Sequence, residues 1–161
     1  MDRERGAVIS ADGRYRYKLW RRWDDSARTM LWVLLNPSTA DANSDDPTLR
    51  RCVGFAKQHG YSGIVIVNLF AYRATDPREL RHADDPVGPD NDAHIATACG
   101  QPGVDVVVAG WGAHALARPR AAHVRNVVDA HRGTMRCFAK SKDGHPRHPL
   151  YVPYSAQLMD L

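Results

Sequence analysis

Apolar and polar positions fall into two alternating patterns along this chain. Tyr15, Tyr17 and Leu19 alternate with Arg14, Arg16 and Lys18, directly after the turn signal Ala11-Asp12-Gly13. A period of two beside such a turn predicts a β-hairpin over residues 6–23, with one basic face, at the edge of a sheet. Residues 29–35 (TMLWVLL) are an unbroken apolar run, as a strand covered on both faces requires. Asn36-Pro37 ends that run, because proline cannot donate to a ladder. Asp46-Pro47 then reads as an N-cap and first-turn pair, and Leu49, Cys52, Val53 and Ala56 follow at helical spacing up to Gly60.

The alternation recurs downstream. Residues 64–69 predict a second buried strand, 76–80 a short turn, 91–99 a helix and 104–109 (VDVVVA) a third buried strand. Residues 112–131 predict a helix interrupted at Pro119 and closed by Gly133, and 135–139 a fourth strand. Strands alternating with helices predict a three-layer α/β/α domain, since right-handed crossovers place helices on both faces of a parallel sheet. The expectation is one domain of 161 residues, with a mainly parallel four-stranded sheet over residues 29–161 and an N-terminal hairpin extension over 1–28.

Composition narrows the class. No apolar run approaches the roughly 20 residues of a bilayer span, and the charged start (Asp2, Arg3, Glu4, Arg5) is not a secretory leader, so a cytoplasmic protein is expected. Cys52, Cys99 and Cys137 are isolated from one another, which predicts reduced, buried thiols and no disulfide framework. A net charge of +4 permits a polyanionic partner without requiring one. The basic residues cluster: Arg14, Arg16, Lys18, Arg21 and Arg22 have no acid among them, and residues 118–148 hold eight basic residues against Asp129 and Asp143. The same skew, with Arg far outnumbering Lys and Asp outnumbering Glu, is what a GC-rich coding bias produces unaided.

Open α/β sheets bind ligands beyond the carboxyl ends of their strands, so the chemistry is sought in residues 36–46, 68–77, 110–114 and 140–154. The first loop carries Asn36, Pro37, Ser38, Asp41, Asp45 and Asp46, a polar set able to orient water or ligand, though taken alone an Asx-rich turn leading into a capped helix explains it better. Asp46 is accounted for as the cap. Asn68 ends the second strand with one acceptor and two donors, suited to the amide edge of a pyrimidine. Phe70, Tyr72 and Trp111 are candidates to stack on a base. In the last loop, His145 and His148 lie between prolines. A zinc site would need further ligands that the sequence does not supply, whereas one histidine donating to a developing anion needs none. Lys140, Lys142 and Arg147 beside it suit phosphates. The Gly-x-Gly-x-x-Gly fingerprint, the P-loop and the Gly-x-Ser-x-Gly elbow are all missing, so neither cofactor nor metal is expected.

Four motifs in order, LLNPSTADANSDDPTLRR, VIVNLFAYRATDP, VVVAGWGAHAL and DGHPRHPLYVPYS, closely resemble the bacterial and phage family catalogued as domain of unknown function 1643. More distantly the same motifs resemble the uracil-DNA glycosylase superfamily. That resemblance implies a glycosylase-like core in which Asn36, in its Asn-Pro context, positions the attacking water and Asn68 reads the base. It further implies that His145 or His148 stabilises the departing base, with Asp41 or Asp45 assisting. Leu35 and Ser38 stand where glycine commonly flanks that Asn-Pro, and the histidine loop lacks the Ser-Pro-Leu-Ser continuation of the best-known members. The expected function is binding of a nucleobase flipped from DNA and hydrolysis of its N-glycosidic bond, with Arg14, Arg16, Lys18, Lys140, Lys142 and Arg147 on phosphates. The alternatives are a non-catalytic nucleic-acid or modified-nucleotide binding module, and a small metal-dependent hydrolase built on Asp41, Asp45, Asp46 and the two histidines.

Overall fold

A computed structural model describes residues 2–161. In chain order the strands are β1 (Glu4–Ile9), β2 (Arg16–Arg22), β3 (Thr29–Leu34), β4 (Gly63–Asn68), β5 (Val104–Ala109), β6 (Arg136–Cys137) and β7 (Met159–Asp160). The helices are α1 (Pro47–Gln58), α2 (Asn91–Cys99) and α3 (Ala117–Arg132). All strands join one sheet in the order β1-β2-β4-β3-β5-β6-β7. The pairs β4·β3, β3·β5 and β5·β6 are parallel; β1·β2, β2·β4 and β6·β7 are antiparallel.

The α/β class holds, but the sheet is seven-stranded and mixed instead of four-stranded. The N-terminal hairpin is part of it, not an extension. β4 is buried along its whole length, and its outer edge would otherwise present unpaired backbone groups; β2 satisfies them through Leu19↔Ile66 to Arg22↔Gly63. This places β2 inside the sheet and leaves β1 as the edge. β6 is only two residues long, and β7, two exposed residues near the C-terminus, carries no apolar pattern that predicts a strand.

Alternation along the central strands divides the core in two. Leu31, Val33, Val65, Val67 and Val107 pack with Ile95 and Ala98 of α2 and Val124 and Val128 of α3. Met30, Trp32, Leu34, Ile64, Ile66 and Val108 pack on the other face with Leu49, Cys52, Phe55 and Ala56 of α1. The three cysteines are free and buried, as expected. Asp46 caps α1 through Leu49 N (2.8 Å), and α2 occupies the predicted residues. Pro119 does not interrupt α3: it lies in the first turn, where no intrahelical donor is needed. Among the described residues, no helix is long and apolar enough to cross a membrane.

One irregularity positions a side chain. Val8 pairs with Lys18 and Ile9 with Arg16, so Tyr17 is an extra residue in β2. Such a β-bulge shifts the alternation by one. Tyr17 stacks on His94 of α2 at 4.8 Å, while Arg16 is brought to the α1 side with Leu19, at the rim of the parallel strands.

Candidate functional site

A cavity of about 540 Å³ opens beyond the carboxyl ends of β3 and β5, on the α1 face. Its apolar base is Leu19, Leu34, Leu49 and Ile66, all nearly inaccessible. Its polar lining comes from six stretches of chain: Arg16; Asn36 and Ser38; Asp46 and Thr48; Thr75; His114; and His148 with Tyr151. The size lies within the roughly 300–1,000 Å³ range of small-molecule sites.

Asn36 is fixed by the loop it begins. Its side-chain amide donates to Ala74 O (2.8 Å) and Pro37 O (3.1 Å), so the carbonyl oxygen is the atom left to accept from a water or ligand. Pro37 is buried and Pro37 O also takes Ala74 N, locking this loop to the one after β4. Across the sheet, Gly110 lets the end of β5 approach the last loop: a Cβ there would stand 3.0 Å from Leu34 Cδ2 and 3.2 Å from Pro149 Cδ.

His148 N-caps a 3₁₀ turn over Pro149–Tyr151, its Nδ1 accepting from Leu150 N (3.2 Å). Burial holds its pKa below the ordinary value, with the Asp46 carboxylate pulling weakly the other way. The imidazole is therefore neutral at pH 7, and because Nδ1 accepts, the proton sits on Nε2. Arg51 of α1 pins this loop, donating to Pro149 O (3.2 Å) and Val152 O (2.5 Å) while its guanidinium lies 3.9 Å from the Tyr154 ring centroid. His114 repeats the arrangement, with Nδ1 accepting from Leu116 N (3.2 Å).

The two histidines of the last loop share a small neighbouring pocket, but they differ toward the main cavity. His148 lines the cavity with Asn36; His145 does not, and its Nε2 meets Arg118 Nη2 at 3.1 Å beside a second groove. Asp41 and Asp45 are also outside the cavity lining. Asp41 accepts from Asn43 N and Ser44 N, which holds its carboxyl below the usual range. Asp45 receives Arg21 Nε (3.0 Å) and Nη2 (2.9 Å). Trp111 lines the cavity as a buried ring, whereas Phe70 is in the α2-side core and Tyr72 packs against it and pairs with Tyr15. Asn68 is buried; its register partner Leu34 and its neighbour Ile66 line the cavity, and its side-chain nitrogen has no protein partner.

The basic candidates are dispersed. Arg14, Lys140, Lys142 and Arg147 are exposed, and Lys18 is half-buried, donating to Gln101 (3.0 Å) beside the Trp20 ring. Arg16 alone among them lines the cavity, and it is 4% exposed. Thr48, Thr75, His114 and Tyr151 are cavity residues that sequence reasoning did not single out, and Asp46, named there as a cap and in the metal-dependent alternative, lines the cavity as well. Asp46 was already explained by its cap; His114 was the nearest to legible, since its loop follows a buried strand. Among the described residues, no group of three or more His, Cys, Asp or Glu side chains is placed to hold a metal ion.

A seven-stranded α/β domain with a ligand-sized cavity at the carboxyl ends of its parallel strands defines the class of protein. Within that class, the match to the family described as protein of unknown function, DUF1643, covers residues 16–150, and the chain belongs to it. Comparison with curated proteins and with solved structures gives no match.

Proposed function

We propose that this cavity binds a nucleobase and that the protein hydrolyses the N-glycosidic bond attached to it. The observation that carries the reading is the pairing of two side chains, each left by its own loop with a single available function. Asn36 offers an acceptor oxygen and His148 a neutral Nε2–H donor, both lining a cavity with the buried Trp111 ring. In the reaction, water adds to C1′ as the C1′–N bond breaks; the bonding pair leaves on the base, and the proton released by the water ends on that base. Asn36 orients the water through its free oxygen. His148 donates to the departing base, a preorganised contact whose removal typically costs about 10²- to 10³-fold. A base within a strand has to be extruded first, because the bond is inaccessible in the stack.

One observation favours a second reading, binding without turnover. Asp46 is the one carboxylate in the described lining, and its two oxygens are taken by Leu49 N and Ala40 N (3.3 Å), which leaves no unengaged base. Abasic-site formation on oligonucleotides carrying uracil, hypoxanthine, a thymine mismatch or hydroxymethyluracil separates the two. Product formation lost in Asn36→Ala and His148→Ala supports hydrolysis; binding without product in the wild type supports the module.

A further inference from the structure

Arg16 is a buried cation with no salt-bridge partner among the described residues. Its Nη1 donates to Ala40 O (2.9 Å), its Nε has no partner, and no carboxylate among the described residues pairs with it. Desolvation lowers its pKa to about 10, with Asp46 opposing and Arg73 and Arg21 adding like charge; the group remains cationic at neutral pH. Asp46 acts on it without a direct ion pair: Ala40 bonds to both, its N–H on the carboxylate and its C=O on the guanidinium. An unpaired buried charge is expensive, and here it lies at the apolar base of a cavity beside the positive end of α1, whose first turn contributes Thr48 and Leu49 to the same lining.

We infer that Arg16 is the anion receptor of the cavity and that the ligand is a nucleotide presenting a phosphate monoester to it. This rests on the nucleobase reading above. A terminal phosphate fits because the guanidinium is at the closed end of the cavity: a phosphodiester continues in both directions and would have to thread through the base formed by Leu19, Leu49 and Ile66. The planar fork of guanidinium matches phosphate oxygens, and a cavity of about 540 Å³ leaves room for sugar and phosphate beside a base. The monoester can belong to a free nucleoside 5′-monophosphate or to the 5′ end of a strand.

The test is calorimetric titration of the full chain with matched pairs: uridine and its 5′-monophosphate, the thymidine, guanosine and adenosine pairs, and dinucleotides with and without a 5′-phosphate. In the wild type a phosphorylated member binds roughly ten- to a hundredfold more tightly than its partner, the range expected of a charge-assisted hydrogen bond. Arg16→Gln brings the ratio near one, and Arg16→Lys, which keeps the charge but not the fork, restores part of it. Preference confined to mononucleotides assigns the free nucleotide as ligand; preference among dinucleotides assigns the strand end. Nucleosides binding as tightly as nucleotides, or a preference that survives Arg16→Gln, overturns the inference and leaves the nucleobase reading intact. Binding of inorganic phosphate alone, with no nucleoside or nucleotide bound, overturns both.

Discussion

Replacing Arg16 with methionine should make the unliganded protein more stable. In the folded state the guanidinium pKa falls from 12.5 to about 10, and because the folded pKa of this base is depressed, the cost of holding the charge is fully present at every pH below about 10. A difference of about 2.5 units corresponds to about 3 kcal/mol. Against this, methionine forfeits the hydrogen bond to Ala40 O, worth about 1 kcal/mol net. Its thioether suits a wall of Leu19, Leu34, Leu49 and Ile66. The expected gain is about 2 kcal/mol, read as a higher urea midpoint at unchanged slope. Stability gained where a functional group is lost is the usual sign of a site held at a cost. A lower midpoint for Arg16→Met would refute the reasoning, because it would mean that the cation is a structural element satisfied within the fold.

Other substitutions separate scaffold from site. Asp45→Asn removes the carboxylate that holds fully buried Arg21 and should cost about 2 kcal/mol, less than the 3–5 of a fully enclosed pair because the acid is partly exposed; unchanged nucleotide affinity in this variant, measured by the same titration, would place Asp45 in the scaffold. His148 refuses a proton when folded, so the unfolded chain binds more protons below about pH 6.5. Its contribution is therefore complete above that pH and is lost as pH falls through the depressed folded value; thermal midpoints between pH 7 and 5 should drop less steeply in His148→Gln than in the wild type. Arg51→Ala, which cuts the bonds to Pro149 O and Val152 O, should lower stability by about 2 kcal/mol and speed hydrogen exchange at the Leu150 amide, and unaltered exchange there would mean that the loop does not depend on α1.

What the sequence reveals depends on whether the cause is local. The strands β3, β4 and β5 announce themselves because both faces are covered; Asn36 stands beside a proline at the end of such a run and His148 beside one in the loop that follows the fourth, so both loops are recognisable as ligand positions. The cap at Asp46 is equally local, and its adequacy as an explanation hides the second role of that carboxylate in the cavity. Arg16 is legible as one of several phosphate candidates, but its burial in the cavity is hidden for a different reason. Its alternating neighbours predict a solvated basic face, and only the unmatched Tyr17 in the ladder reverses its direction. Asp45 looks like a loop-end acid until Arg21, brought close by the β2·β4 pairing, takes it. Pairings that join residues 20 or more positions apart leave no trace in periodicity.

The extra residue in β2 also bears on how relatives of this chain should be compared. Parity along a strand is a binary property: Arg16, three positions before Leu19, shares its face only because Tyr17 is extra, and the same letters run through a regular ladder would send the guanidinium to the α2 side, where Tyr17 now stacks on His94. A family member with this arginine three positions before the leucine but a regular ladder would share the spelling without the receptor, whereas one from which the extra residue is deleted would keep it. Counting residues back from Leu19, together with the register of the β1·β2 ladder, is thus a sharper criterion for inheriting this cavity's chemistry than finding an arginine near it.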